Sequence, residues 1–315
     1  MTIDEILKWA PDNEDVFDEL LSSIIKGSVI PFVGAGMSAP IYPLWGDVLN
    51  KLTEKLASEK NREAVNDILN DSSVSDTYTR AADKLIELRS ETNVFRDLLK
   101  IFNENKIVDA DLKKMAVYLL PFLFQDKPAI TTNYDRVLEH VFRLLGAEFD
   151  NGSVFTPDSY MAGSVSQQSL HCLFKIHGDI GKETIDGRKL ILSGESYDRV
   201  YTPDSELVNT LKIFYQGKMM LFLGSSLKYD RTLNILKQIT ETGQFGHYAI
   251  LPCSKEMLDN DIRFFGERGI RAIFYDPDHH EAVKIILEEL LRGKDPDRFR
   301  LYRSFTPSGS KSCKV

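Results

Sequence analysis

A chain of 315 residues, 43% hydrophobic and 27% charged, has enough apolar side chain for a large core and reads as one big α/β domain or two smaller ones. A formal net charge of −8 and a pI near 5.4 give no electrostatic ground for independent nucleic-acid binding. Three widely separated cysteines, Cys172, Cys253 and Cys313, form no Cys-x-x-Cys pair, which argues against structural zinc and a disulfide framework and fits a reducing cytoplasm.

Acidic residues at its start, apolar residues at helical spacing and Gly27 as a stop predict an amphipathic helix from about Asp12 to Lys26. A short apolar strand follows, Val29 to Val33, and runs straight into Gly34-Ala35-Gly36-Met37-Ser38. Two residues without a Cβ let the backbone turn sharply and lie close to a ligand. Such a junction either offers backbone N–H groups to a pyrophosphate or is an ordinary tight turn. Pro40 and Pro43 delay the next helix, predicted from about Asp47 to Glu59, and the intervening loop is placed to close over a ligand.

From about 61 to 124 the pattern is helical and strand signals largely disappear, which predicts a helical insertion broken near Asp71-Ser72-Ser73. Its most apolar run, Met115 to Phe124, is too short to cross a bilayer, and the N-terminus lacks a basic stretch followed by an apolar signal core. A cytoplasmic protein without a membrane segment is expected. Strand-like segments then return at Ala129 to Thr132, Leu173 to Ile176, Leu190 to Leu192, Met219 to Leu223, His247 to Leu251 and Ala272 to Tyr275. Helical segments at Arg136 to Leu145, Glu206 to Tyr215, Arg231 to Thr240 and His280 to Arg292 separate several of them. This alternation predicts a Rossmann-like, doubly wound, mostly parallel sheet with ligands at the carboxyl ends of its strands. Residues 1–292 read as one domain and 293–315 as a flexible tail or linker.

Four predicted strands end in polar or small residues that a strand does not need: Gly34 to Ser38, Thr131-Thr132-Asn133-Tyr134-Asp135, His177-Gly178-Asp179 and Gly224-Ser225-Ser226. Singly, each has a plain structural explanation. Asn133 and Asp135 suit caps of the next helix, His177 suits a satisfied core histidine, and Gly224-Ser225-Ser226 suits a turn leading into a helix. Parallel strands would instead carry all four to one edge and build a single pocket. Asp276, Asp278, His279 and His280 have the composition of a metal cluster, but they precede an amphipathic helix, where capping and solvent exposure explain them; no metal is assigned.

Gly34-Ala35-Gly36-x-Ser38, Thr131-x-Asn133-x-Asp135, His177-Gly178 and Gly224-x-Ser226, in this order, resemble the motifs of sirtuins over roughly residues 24 to 292. The resemblance is nearest to the sirtuin-like domains of bacterial anti-phage defence proteins, which degrade NAD. Protein-deacetylating sirtuins carry a four-cysteine zinc module, a glutamine where this chain has Thr132, and an acidic-aromatic-arginine loop where it has Tyr42 to Asp47. These departures argue against peptide deacylation.

The resemblance implies an NAD+ glycohydrolase, with NAD+ as substrate rather than cofactor and without zinc. Asn133 would orient the nicotinamide ribose and the attacking water, Asp135 would contact the carboxamide, and His177 would act as general base. Gly34, Ala35, Gly36 and Ser38, with Thr132, would hold the pyrophosphate side, and Gly224, Ser225 and Ser226 would line the adenosine ribose. Tyr197 stands where such relatives often carry an aromatic, or simply packs the core. Because uncontrolled NAD+ loss would harm the host, a homo-oligomer or a separate defence-system partner is expected to control activity. Rival readings are a non-catalytic NAD or ADP-ribose binding module, and protein deacylation or ADP-ribosyl transfer. A dehydrogenase fits less well, since Gly34-x-Gly36-x-x-Ala39 matches the dinucleotide fingerprint loosely and Pro40 interrupts the helix that should follow.

Overall fold

Seven strands, all parallel, form one sheet in the computed structural model, which describes residues 1–71, 76–149, 153–157, 171–181, 190–225, 227 and 246–306. In chain order they are β1 (Val29–Val33), β2 (Ala129–Thr131), β3 (Val154–Phe155), β4 (Leu173–Lys175), β5 (Met219–Leu223), β6 (His247–Pro252) and β7 (Ile270–Tyr275). The spatial order is β3-β4-β2-β1-β5-β6-β7. From β1 the chain builds outward on one side through β2, β3 and β4, then crosses back to place β5 on the other side of β1. That reversal makes the carboxyl edge between β1 and β5 the topological switch point, where open α/β sheets form a crevice.

The sheet is covered on both faces, which is why β1, β5 and β6 are almost continuously apolar. Alternate residues of β1 go to opposite cores: Val29 and Val33 pack with helices Asn13–Ile25 and Ala282–Lys294, Ile30 and Phe32 with helices Glu206–Gly217 and Leu258–Gly266. Asn13 closes the β7 edge of the sheet: its amide donates to the Phe274 carbonyl at 2.8 Å and its oxygen accepts the Phe274 N–H at 2.9 Å. In β6, His247 is buried and accepts the Met220 N–H at 3.1 Å, so its ring must stay neutral on that nitrogen; burial pushes its pKa down to about 4.

Between β1 and β2 the described residues are helical: Trp45–Thr53, Glu59–Leu69, Thr77–Arg89, Glu91–Ile101, Asp109–Leu112 and Leu120–Phe124. Buried Asp97 on helix Glu91–Ile101 ties it to the end of helix Thr77–Arg89 and to the turn after Thr53, accepting from Arg89 at 2.6 Å and Lys55 at 2.7 Å. The helix expected from about Asp47 to Glu59 runs instead from Trp45 to Thr53, and the next begins at Glu59 after a turn. No helix among the described residues is long and apolar enough to cross a membrane.

Two further expectations are corrected. Leu190 to Leu192 is not a strand: Ile191 donates its N–H to the His177 carbonyl and gives its own carbonyl to the Tyr134 hydroxyl, so the segment is held by the site loops instead of a ladder. A two-residue edge strand, β3, was not anticipated. The tail does not begin at 293, because Asp295 caps a helix Pro296–Phe305 that packs against the body through fully buried Tyr302. Tyr302 lies against Tyr118 and Phe122 and donates to Glu288 at 2.6 Å. The helix expected over Arg231 to Thr240 and the segment from 307 onward lie outside the described residues.

At the switch point the loops after β1 and β5 touch backbone to backbone. A Cβ on Gly34 would lie 2.6 Å from the Gly224 oxygen, and one on Gly224 would lie 2.5 Å from the Met37 nitrogen. Gly224 also has φ +65, a conformation L side chains rarely adopt. Gly224→Ala is therefore expected to lower unfolding free energy by about 2–4 kcal/mol, with an unchanged denaturant slope in urea titrations.

Candidate functional site

The carboxyl ends of β1 and β2 bring one set of predicted residues into direct contact. Asn133 follows β2 and donates its side-chain amide to the Gly34 carbonyl and to the Ser38 hydroxyl, both at 3.2 Å. Ser38 in turn donates to Asp135 Oδ1 at 3.2 Å. The β2 loop is fixed to β1 beneath these contacts, since the Thr131 hydroxyl donates to the Val33 carbonyl at 2.8 Å and accepts the Asn133 N–H at 3.0 Å. Ser38, Asn133 and Asp135 are all buried. Within this arrangement Asn133 Oδ1 is a buried acceptor without a hydrogen-bond partner among the described residues. A buried polar atom left unpaired costs about 1–3 kcal/mol, so an amide held this rigidly with its oxygen unmatched suits a ligand or water donor.

Asp135 does cap the following helix, as its structural reading held: its Oδ1 accepts the Val137 N–H at 2.9 Å. It is also more than a cap. Burial raises its pKa to about 6, against the lowering effects of the Val137 N–H, Lys175 and Ser38. The carboxyl therefore changes charge close to neutrality, inside the same bond chain as Asn133.

The glycine turn is closed rather than open. It is a 3-10 turn, Ala35–Met37, in which the amides of Gly34, Gly36, Met37, Ser38 and Ala39 all donate to protein carbonyls, Gly36 to Gly224 at 2.8 Å. Among the described residues only Ala35 in this stretch keeps an amide without a carbonyl partner. The glycines are thus required for the approach to Gly224, and a cradle of several free amides is not what they form. Thr132 spends its amide on the Val33 carbonyl, and Ser225 accepts the Leu227 N–H at 3.3 Å beside Gly34. Ser226 lies outside the described residues.

His177 stands at the end of β4, buried, with its Nε2 2.8 Å from the Tyr201 hydroxyl and the Tyr197 ring edge-on at 5.3 Å between centroids. Gly178 follows with φ +101, which lets the chain turn away immediately after the histidine. Tyr197 and Tyr201 come from the Gly194–Val200 helix and the residue after it. Sequence reasoning noted Tyr197 and missed Tyr201; four-residue spacing on one helical face was the available signal.

Under these residues lies a charged group that sequence reasoning also missed. Lys175, the last residue of β4, is fully buried and donates to the carbonyls of Tyr134 at 3.3 Å and Asp135 at 2.6 Å, to Glu139 at 3.0 Å and to Asp179 at 3.1 Å. Asp179 is clasped further by Arg136 and by the Gly181 N–H, and Lys175 and these bonds outweigh burial to hold its pKa down at about 2. Arg136 continues outward to Glu104 at 3.0 Å, and Tyr134 packs on Trp45 and Phe102, so the helical segment between β1 and β2 braces the loop that carries Asn133.

His279 and Glu281 pair at 2.8 Å and His280 meets the Tyr275 hydroxyl at 3.1 Å; among the described residues no group of three or more His, Cys, Asp or Glu side chains is arranged to hold a metal.

Residues 127–273 match the family model described as a SIR2-like domain. The match takes in the strand ends at Asn133, His177 and Gly224, which is consistent with NAD-related chemistry, and stops short of β1 and its glycine turn, although these form the middle of the same sheet. No curated protein gives a significant match to the chain.

Two buried groups with opposite linkage make stability respond to pH in a recognisable way. His247, at about 4 against an ordinary 6.5, lets the unfolded chain take up a proton first, so its contribution falls as pH drops from about 6.5 to about 4. Asp135, at about 6 against an ordinary 3.8, makes the folded chain take up the proton first, so its contribution rises over nearly the same interval. The chain is expected to show little net change between pH 6 and 4. Asp135→Asn removes one of the two and should expose a loss of roughly 3 kcal/mol toward pH 4 in urea titrations.

Proposed function

We propose that the chain is an NAD+ glycohydrolase that cleaves the nicotinamide–ribose bond to give nicotinamide and ADP-ribose or its cyclic form, as a gated toxic effector of bacterial anti-phage defence. The observation that carries the reading is Asn133: a buried amide, fixed by Gly34 and Ser38 at the switch point, whose oxygen has no partner among the described residues. An acceptor in that position suits a ribose hydroxyl or a water, and Asn133 lies within the SIR2-like match together with His177 and Gly224, while Gly34 and Ser38 lie before it. The defence role rests on the sequence resemblance.

In hydrolysis the C1′–N bond breaks and its electron pair passes to the pyridine nitrogen, releasing neutral nicotinamide. Water oxygen bonds to C1′ and surrenders one proton. Ribose C1′ carries oxocarbenium character between these events, so orientation and electrostatics supply most of what a protein can contribute. Asn133 Oδ1 would hold the nucleophile or the ribose hydroxyl, His177 would take the proton, and ionised Asp135 would accept the carboxamide N–H. For His177 to act through Nε2, the Tyr201 hydroxyl now at that nitrogen must give way to the incoming hydroxyl. The partly exposed Ala35 amide is the remaining donor of the glycine turn for a phosphate oxygen.

Nicotinamide release from NAD+, resolved by chromatography over a range of protein concentrations, tests this reading. Release should rise more steeply than in proportion to concentration, as gating by self-association or a partner requires, and fall by about a hundredfold or more in Asn133→Ala and His177→Ala. Full activity in a dilute monomer contradicts the gate, and undiminished release by both variants contradicts the site.

Affinity supplies a separate check. Protonation removes the carboxylate acceptor, so NAD+ affinity should weaken as pH falls through about 6. Calorimetric titration should show that dependence in the unsubstituted chain and lose it in Asp135→Asn.

A further inference from the structure

Lys175 is a fully buried lysine with four oxygen partners for three N–H groups, an arrangement that costs several kcal/mol of desolvation unless every donor is matched. Its partners are not distributed at random. Two are the main-chain carbonyls of Tyr134 and Asp135, immediately after Asn133; one is Asp179, two residues after His177. The fourth, Glu139, stands on the helix that Asp135 caps. The loop bearing Asn133 and the turn bearing His177 are therefore pinned to one ammonium group, although their strands supply no hydrogen bond between the two side chains. Arg136 repeats the link on the outside, running from the Asn133 loop to both oxygens of Asp179. Removing the lysine alone would strand Asp179, whereas exchanging a whole buried charged set for apolar side chains is often neutral or stabilising, so stability alone does not call for charge here.

We infer that Lys175 is a positioning residue, setting the separation between Asn133 and His177 on which the proposed cleavage depends. The inference rests on the glycohydrolase reading. Lys175 is fully buried beneath the two arms, with its bonds going to protein oxygens. A cation shared between two loops keeps both at hydrogen-bond distance from a common point, and a displacement of either by about 1 Å is enough to cost on the order of a hundredfold in rate.

The test uses the full chain, with each rate divided by the folded fraction measured by denaturation. Asp179→Asn keeps an oxygen acceptor but weakens both ties that reach the His177 turn from the Asn133 side, through Lys175 and through Arg136. It should lower nicotinamide release about tenfold or more while NAD+ affinity, set by the intact Asn133 loop, changes less than about threefold. Lys175→Met/Asp179→Asn removes one buried charge of each sign, which guards against unfolding by an unpaired carboxylate. It should lower release further and also move the pH midpoint of NAD+ affinity upward. That midpoint belongs to Asp135, which faces Lys175, Glu139, Ser38 and Tyr42, and the substitution takes away the cation. A loss of folded protein alone moves no midpoint.

Release and midpoint like those of the unsubstituted chain in both variants overturn the inference and leave the glycohydrolase reading standing; if the double variant does not fold, unchanged release in Asp179→Asn overturns it by itself. An unsubstituted chain that neither binds nor cleaves NAD+ overturns both.

Discussion

The close approach of the loops after β1 and β5 is the constraint from which the rest of the molecule follows. Gly34, Gly36 and Gly224 lie so near one another that a Cβ on any of them would meet backbone at 3.0 Å or less. This contact closes the switch point, turns the amides of the glycine turn inward, and leaves the carbonyl of Gly34 facing Asn133. Had the loops stood apart, Gly34 to Ser38 could have been an open phosphate cradle. Because they are pressed together, they form a floor on which Asn133 rests.

Those residues are arranged by burial of charge. Lys175, Asp179, Arg136, Glu139 and Glu104 form a continuous set that begins in a fully dry position and ends at the half-exposed Glu104. A dry ammonium fixes main-chain carbonyls more firmly than a neutral donor would, since charge-assisted hydrogen bonds are about twice as strong. The same group favours ionised Asp135 while burial opposes it, and the outcome is a carboxyl poised near pH 6 within the bond chain to Asn133. Packing of Trp45 and Phe102 on Tyr134 extends this order to the helices between β1 and β2. Those helices therefore reach the site indirectly, through the loop they brace.

Much of this was legible in the sequence where the information is local. Apolar runs ending in Gly, Asn or His marked β1, β2, β4 and β5 and their strand-end residues, because a strand and the turn that ends it are written within ten positions. What was missed depends on distant partners. Lys175 sits in Leu173-Phe174-Lys175-Ile176, where alternation alone assigns a lysine to solvent; its partners Asp135 and Glu139 lie 40 and 36 positions earlier. Leu190 to Leu192 has strand composition, but its hydrogen bonds go to the His177 carbonyl and the Tyr134 hydroxyl, which no periodicity encodes. Helix Pro296–Phe305 was hidden by its polarity, since Tyr302 is its one buried residue, although Asp295 before Pro296 is a legible start. The glycine turn reads in the sequence as the part that holds the pyrophosphate; that most of its amides are spent within the protein follows only from the position of Gly224.

The central claim is that a nicotinamide ribose docks on Asn133 at the switch point between β1 and β5. A crystal structure of the chain with a carbocyclic NAD+ analogue, which cannot lose nicotinamide, tests it most directly. The account predicts a ribose hydroxyl or an ordered water within hydrogen-bond distance of Asn133 Oδ1 and the carboxamide against Asp135. An analogue bound elsewhere on the molecule, with Asn133 Oδ1 still unpaired, would contradict it.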